Sequence, residues 1–114
     1  MLRSEDYSFF EEDDFKEALK QYEAMLREER SVYMDAADLT DIAEYYMVKG
    51  RREDAMTCIN YALSLHPDDP DPLVFLARER MFDGDLDVAQ KMCDEIPDQQ
   101  DREVQFLKAE LLLR

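Results

Sequence analysis

Apolar residues recur along this chain at three- and four-residue steps, in blocks set apart by glycine, proline and aspartate. Leu39, Ile42, Ala43 and Tyr46 form one block, and Ala55, Cys58, Ile59, Ala62, Leu63 and Leu65 form the next. Leu73, Leu76, Ala77 and the pair Met81/Phe82 make a third, and Leu86, Ala89, Met92, Cys93 and Ile96 a fourth. Such spacing places each block on one face of an α-helix. Gly50 and Gly84 follow the first and third blocks, where a left-handed residue commonly ends a helix. Pro67 and Pro97 close the second and fourth, because proline cannot continue the hydrogen-bond ladder. Residues 66–72, His-Pro-Asp-Asp-Pro-Asp-Pro, are expected to form a turn.

The flanks carry the same rhythm. Residues 14–30 hold Phe15, Ala18, Leu19, Tyr22, Met25 and Leu26, and residues 101–114 hold Val104, Phe106, Leu107, Leu111, Leu112 and Leu113. Residues 4–12 fit a short helix with Ser4 as its N-cap.

The blocks are copies of one another at a fixed distance. The shift that carries Gly50 onto Gly84, the only glycines, also brings Leu39 onto Leu73, Ala43 onto Ala77, Met47 onto Met81 and Ala55 onto Ala89. Residues 14–30 match the second helix of a unit at a slightly longer offset, with Ala18 on Ala55 and Tyr22 on Ile59. The extra residues then fall in the connection near Arg30–Asp35. A repeat of this kind implies stacked supersecondary units that build one core together.

The chain of 114 residues is 46% hydrophobic, with 2 glycines and 4 prolines, which favours an all-α protein. Its net charge of −15 repels phosphate backbones and anionic headgroups, so nucleic acid and membrane surfaces are disfavoured partners. The two cysteines, Cys58 and Cys93, sit in helical patterns as small buried residues and fit a reducing compartment. With an acidic N-terminus and no long apolar run, the expected location is the cytoplasm.

The pattern resembles the tetratricopeptide repeat, a helix-turn-helix unit of about 34 residues. Residues 36–69 supply Leu39, Ile42, Ala43, Tyr46, Gly50, Ala55, Ile59, Ala62 and Pro67 at the places where that family has its large, small, aromatic, glycine and proline positions. Residues 70–100 form a degenerate copy. It keeps Leu73, Leu76, Ala77, Gly84 and Ala89 but has Arg80 where an aromatic is expected. The resemblance implies an all-α fold of antiparallel helix-turn-helix repeats stacked as a short right-handed superhelix. Residues 1–13 would precede it, 14–35 would supply the second helix of a partial repeat plus a linker, and 101–114 the first helix of a further repeat.

The resemblance further implies a concave groove lined by the first helix of each unit. Carried over residue by residue, the groove positions are Thr40, Glu44, Met47 and Val48, then Val74, Arg78, Met81 and Phe82, with Gln105, Ala109 and Leu112 continuing the surface. Met47, Met81 and Phe82 fit either the groove or simple packing between helices. Members of the family that grip a C-terminal carboxylate use Lys and Asn where this chain has Thr40 and Glu44, so a basic or apolar segment is the better expected partner.

Catalysis finds no footing in these residues. His66, the only histidine, sits at a helix end, where it favours the dipole. No nucleophile elbow or phosphate-binding glycine loop is present, and two distant cysteines cannot hold zinc. The runs Asp83–Asp87 and Glu11–Asp14 read as turn and helix-start charges rather than calcium loops. The expected function is a non-catalytic scaffold without cofactor or metal that binds a protein or peptide. The alternatives are a self-associating module, joined through the apolar C-terminal helix, or a fragment of a longer array.

Overall fold

The computed structural model describes residues 8–114. Among them the chain is helical throughout: a 3-10 turn at Ser8–Glu11, then α1 (Asp13–Glu28), α2 (Ala36–Val48), α3 (Arg52–Leu65), α4 (Pro70–Phe82), α5 (Leu86–Asp94) and α6 (Arg102–Leu112). Of the helix expected over residues 4–12, residues 4–7 lie outside the described residues. The rest forms the 3-10 turn, with Phe10 packed edge-on to Tyr45 of α2.

The register of the repeat appears directly in the helices. The shift from Gly50 to Gly84 also carries Ala36, the start of α2, onto Pro70, the start of α4, and the two helices have 13 residues each. Gly50 and Gly84 lie at φ 76° and φ 85°, the left-handed region that costs an ordinary side chain energy. Hydrogen bonds across them close the helix ends, with Arg51 N–H donating to Tyr46 O at 2.8 Å and Asp85 N–H to Arg80 O at 2.9 Å. Short connections join successive helices, which pack on one another, and α4 also packs on α2 and α6.

The longer offset of α1 also has a physical basis. Residues 29–35 join α1 to α2, whereas only residues 66–69 separate α3 from α4. The longer connection is tied down from α3. Tyr61 O–H donates to Val32 O, and the His66 ring stands 2.8 Å from Met34 O. His66 therefore clasps a linker as well as ending α3.

Several expectations need correction. The turn predicted over residues 66–72 ends at Asp69. Pro70 occupies the first position of α4, where its missing N–H would have had no partner in any case. The Asp69 carboxylate caps that helix by accepting from Asp71 N–H at 2.9 Å. Leu26 and Leu86 are exposed, and α5 stops at Asp94, leaving the buried Ile96 in the following turn. α5 has 9 residues against 14 in α3. As a consequence α6 begins at Arg102, earlier than Val104, where the repeat shift from Pro70 would start it.

Two hydrophobic clusters fill the interior. Phe15, Tyr22, Met25, Leu39, Ile42, Ala43, Tyr46, Cys58 and Ile59 belong to the first, along with Phe75. Val74, Ala77, Met81, Ala89, Cys93, Ile96, Val104, Leu107 and Leu111 form the second. The boundary runs through α4, whose adjacent residues Val74 and Phe75 face different clusters. Alanines at 43, 55, 62, 77 and 89 are fully buried, which lets the helices approach closely.

These contacts predict unequal mutational costs. Ile42→Ala should destabilise by roughly 2–5 kcal/mol, the range for an emptied core site. Gly50→Ala meets no atom within 4 Å and should cost only about 1 kcal/mol, through backbone strain. Urea denaturation checks the order; a Gly50→Ala cost equal to that of Ile42→Ala would contradict it.

The cysteines yield a second prediction. Burial pushes the Cys58 thiol up to about 12, and its S–H donates to Leu39 O at 3.2 Å; burial also raises Cys93. In native buffer near about pH 8 neither should react with a thiol reagent, and both should react once the chain is unfolded. Fast labelling of either in the native protein would contradict the packing.

Candidate functional site

Helical spacing sets three stripes of side chains side by side. On α2, Ala37, Thr40, Asp41, Glu44 and Met47 share a face. On α4 the corresponding face carries Asp71, Val74, Phe75, Arg78, Glu79 and Phe82. Together with Glu103 of α6 they line a cleft of about 450 Å³. It continues into a depression of about 550 Å³ lined by Glu44, Arg78, Glu103, Phe106, Ala109, Glu110 and Leu113. Glu44, Arg78 and Glu103 border both, so the two form one concave surface across α2, α4 and α6.

Six of the eight expected groove residues line this cleft: Thr40, Glu44, Met47, Val74, Arg78 and Phe82. Val48 and Met81 do not. Val48 is partly buried and lies just past the α2 stripe, about 100° round the helix. Met81 is 1% exposed and packs in the second cluster with Ala77 and Leu107. On α6, Ala109 is in place, but Phe106 and Leu113 stand where Gln105 and Leu112 were expected. Gln105 instead donates to Gln99 O, and Leu112 is 86% exposed. The early start of α6 explains the change: Asp71, Val74 and Arg78 correspond to Glu103, Phe106 and Glu110. One sequence signal could have revealed it. Asp101 caps α6 by accepting from Glu103 N–H at 2.9 Å, just as Asp69 caps α4 through Asp71 N–H, so the two capping aspartates mark the true register.

Among the described residues Arg78 is the one cation lining the cleft, and it is internally committed. Its Nε and a terminal nitrogen both donate to Glu110 Oε1 at 2.7 Å, and its other terminal nitrogen lies 3.7 Å from Glu103. It straps α4 to α6, and Asp41, Glu44, Asp71, Glu79 and Glu103 line the same cleft. Burial raises the Asp71 carboxyl above its ordinary value, and the nearby Asp69, Asp101 and Glu103 raise it further. Burial also raises Glu79, opposed by Arg52 at 3.7 Å and aided by Asp83. The Thr40 hydroxyl is buried in the cleft wall and has no hydrogen-bond partner among the described residues.

Other candidate chemistry lies elsewhere. His66, Cys58 and Cys93 do not line the cleft. Asp83 pairs with Arg52 at 3.4 Å, and Glu11 with Lys16 at the same distance. Among the described residues no three His, Cys, Asp or Glu side chains are placed to hold a metal ion, and no helix is long and apolar enough to cross a membrane. No protein-family model matches this chain, and neither a curated protein nor a solved structure matches it.

The raised carboxyls make stability depend on pH. A carboxyl with a folded-state pKa above its unfolded value holds its proton more tightly when folded. Folding therefore gains as pH falls through the raised value, and the gain is complete below the ordinary carboxylate range. Asp71, Glu79 and Asp38, the last raised by burial and by Asp35 and Asp14, all act in this sense. Glu28, held low by exposed Arg30, opposes them only weakly. The melting temperature should rise from about pH 7 to about pH 5, and Asp71→Asn with Glu79→Gln should flatten that rise. A melting temperature that falls steadily over the same interval would contradict this assignment.

Proposed function

We propose that this chain is a non-catalytic protein-interaction module, a short tetratricopeptide-like array whose concave face receives a peptide or protein segment. In this reading the helix pairs α2–α3 and α4–α5 are successive repeats of a right-handed superhelix, α1 closes one side and α6 opens the next unit. The observation that carries it is the shared cleft. The residues at equivalent positions of α2 and α4, the helices that the resemblance assigns to the groove, line a single acidic and apolar depression. The buried free cysteines fit a reducing compartment such as the cytoplasm. Fold alone does not give function, so the proposal rests on the cleft's chemistry.

A second reading is self-association. Leu112 and Leu113 at the end of α6 are 86% and 87% exposed, and Phe106 is half exposed. Apolar side chains grouped in this way mark interaction surfaces.

Selection of peptides from a displayed random library on the purified chain separates the two. Peptides chosen by the native protein should lose about tenfold or more in affinity on a Phe82→Ala, Glu44→Gln variant that keeps its melting temperature. Equal binding by that variant would remove the cleft from consideration. Light scattering across concentrations reports the alternative: a mass that doubles with the native chain and not with Leu112→Glu would favour self-association.

A further inference from the structure

Three features of the cleft stand together at one end. Thr40 and Asp41 lie in the opening turns of α2 as Asp71 does in α4, and all three line the cleft. Glu103, in the first turn of α6, stands near Asp71 and also lies 3.7 Å from Arg78. Thr40 is 8% exposed, and its Oγ1 has no hydrogen-bond partner among the described residues. A buried hydroxyl left without a partner is costly, and such groups are few in folded proteins. No cation is placed against Asp71 among the described residues, and its nearest charges are the carboxylates of Asp69, Asp101 and Glu103. The other end differs. There Arg78 is held by Glu110, and Glu79 faces Arg52. Apolar floor runs between the two ends through Val74, Phe75, Met47 and Phe82.

Resting on the module reading above, we propose that the cleft selects a basic amphipathic segment of a partner protein. A lysine or arginine of that segment docks at the Thr40–Asp71 end, with its apolar side chains on Met47, Val74 and Phe82. A cationic N–H donor there supplies the hydrogen bond that Thr40 Oγ1 lacks and the positive charge that Asp71 lacks. Among the described residues that line the cleft, carboxylates outnumber cations, so an acidic segment is repelled. The same carboxylate crowding carries a cost in the free protein that a bound cation relieves. Loss of that crowding should therefore weaken binding while holding or raising stability, a combination that a purely structural role would not give.

Fluorescence anisotropy with a labelled Leu/Lys amphipathic peptide and its Leu/Glu counterpart tests this on the full chain. The lysine peptide should bind with an affinity that falls as salt is added, and the glutamate peptide should not bind. Asp71→Asn should weaken the lysine peptide about tenfold and Thr40→Val about fivefold, each with an unchanged or higher melting temperature. Asp87→Asn, an exposed carboxylate on α5, is the control and should have no effect. If Asp87→Asn weakens binding as much as Asp71→Asn, the attraction belongs to the whole acidic surface and the cation site is wrong. Binding that depends on Phe82 but not on Asp71 or Thr40 would sink the cation site and leave the module reading intact. Displacement of the peptide by added unlabelled chain would show that the occupant is a second copy, which also overturns the proposal.

Discussion

α4 has to satisfy two interiors at once. It touches α2 and α3 on one side and α5 and α6 on the other. Its apolar residues therefore run most of the way round the helix instead of along one stripe. Val74, Ala77 and Met81 enter the second cluster while Phe75 enters the first, and Leu73 and Leu76 pack at the margins of the two. Neither helix pair could bury its apolar face alone, and α4 is the shared wall through which each covers the other. The cleft follows from this arrangement. What remains of α4 after two cores have been served is the narrow stripe Asp71, Arg78 and Phe82, with the core residue Val74 at its floor, and it lines the cleft with the matching stripe of α2.

The elements with strong local signals were legible in the chain before folding was considered. Gly50 and Gly84 announce two turns because only glycine takes positive φ without strain. Ala43, Ala55, Ala62, Ala77 and Ala89 announce close helix contacts. Six groove positions followed from these, since a helix of known register fixes which residues share a face. The misses on α6 have one source. Gln105 and Leu112 were placed without allowing for the shortened α5, after which α6 begins early and puts Phe106 and Leu113 in the cleft. Met81 was ambiguous for a related reason. On a helix buried on two sides, apolar periodicity cannot say which face looks outward.

Polar detail was less legible still, because it depends on contacts distant in sequence. Arg78 looked like a groove residue available to a partner. In the folded chain it lines the cleft and is also spoken for by Glu110 on another helix. Likewise His66 looked like a helix-end charge but holds the backbone of Met34, in the linker before α2. Periodicity reports faces, not partners, so the ion pairs of Arg78 with Glu110 and Glu103 and of Arg52 with Glu79 could not be read from spacing.

The placement of these charges bears on how the cleft can work. Cleft carboxylates that were there only for solubility would be placed where water solvates them fully. Asp71 and Glu79 are instead drawn into partial burial, where desolvation opposes their charge, reinforced at Asp71 by neighbouring carboxylates and offset at Glu79 by Arg52. A fold can carry such groups only because the two clusters and the Arg78–Glu110 strap hold the helices in place regardless. The opposition is local and electrostatic, and in the reading proposed above a bound cation relieves it. Thr40 sharpens the argument, since its unpaired oxygen lies in the same wall and attraction by net charge alone would give it no role. A surface that merely repels anions needs no buried hydroxyl; one that recognises a particular cation has a use for it.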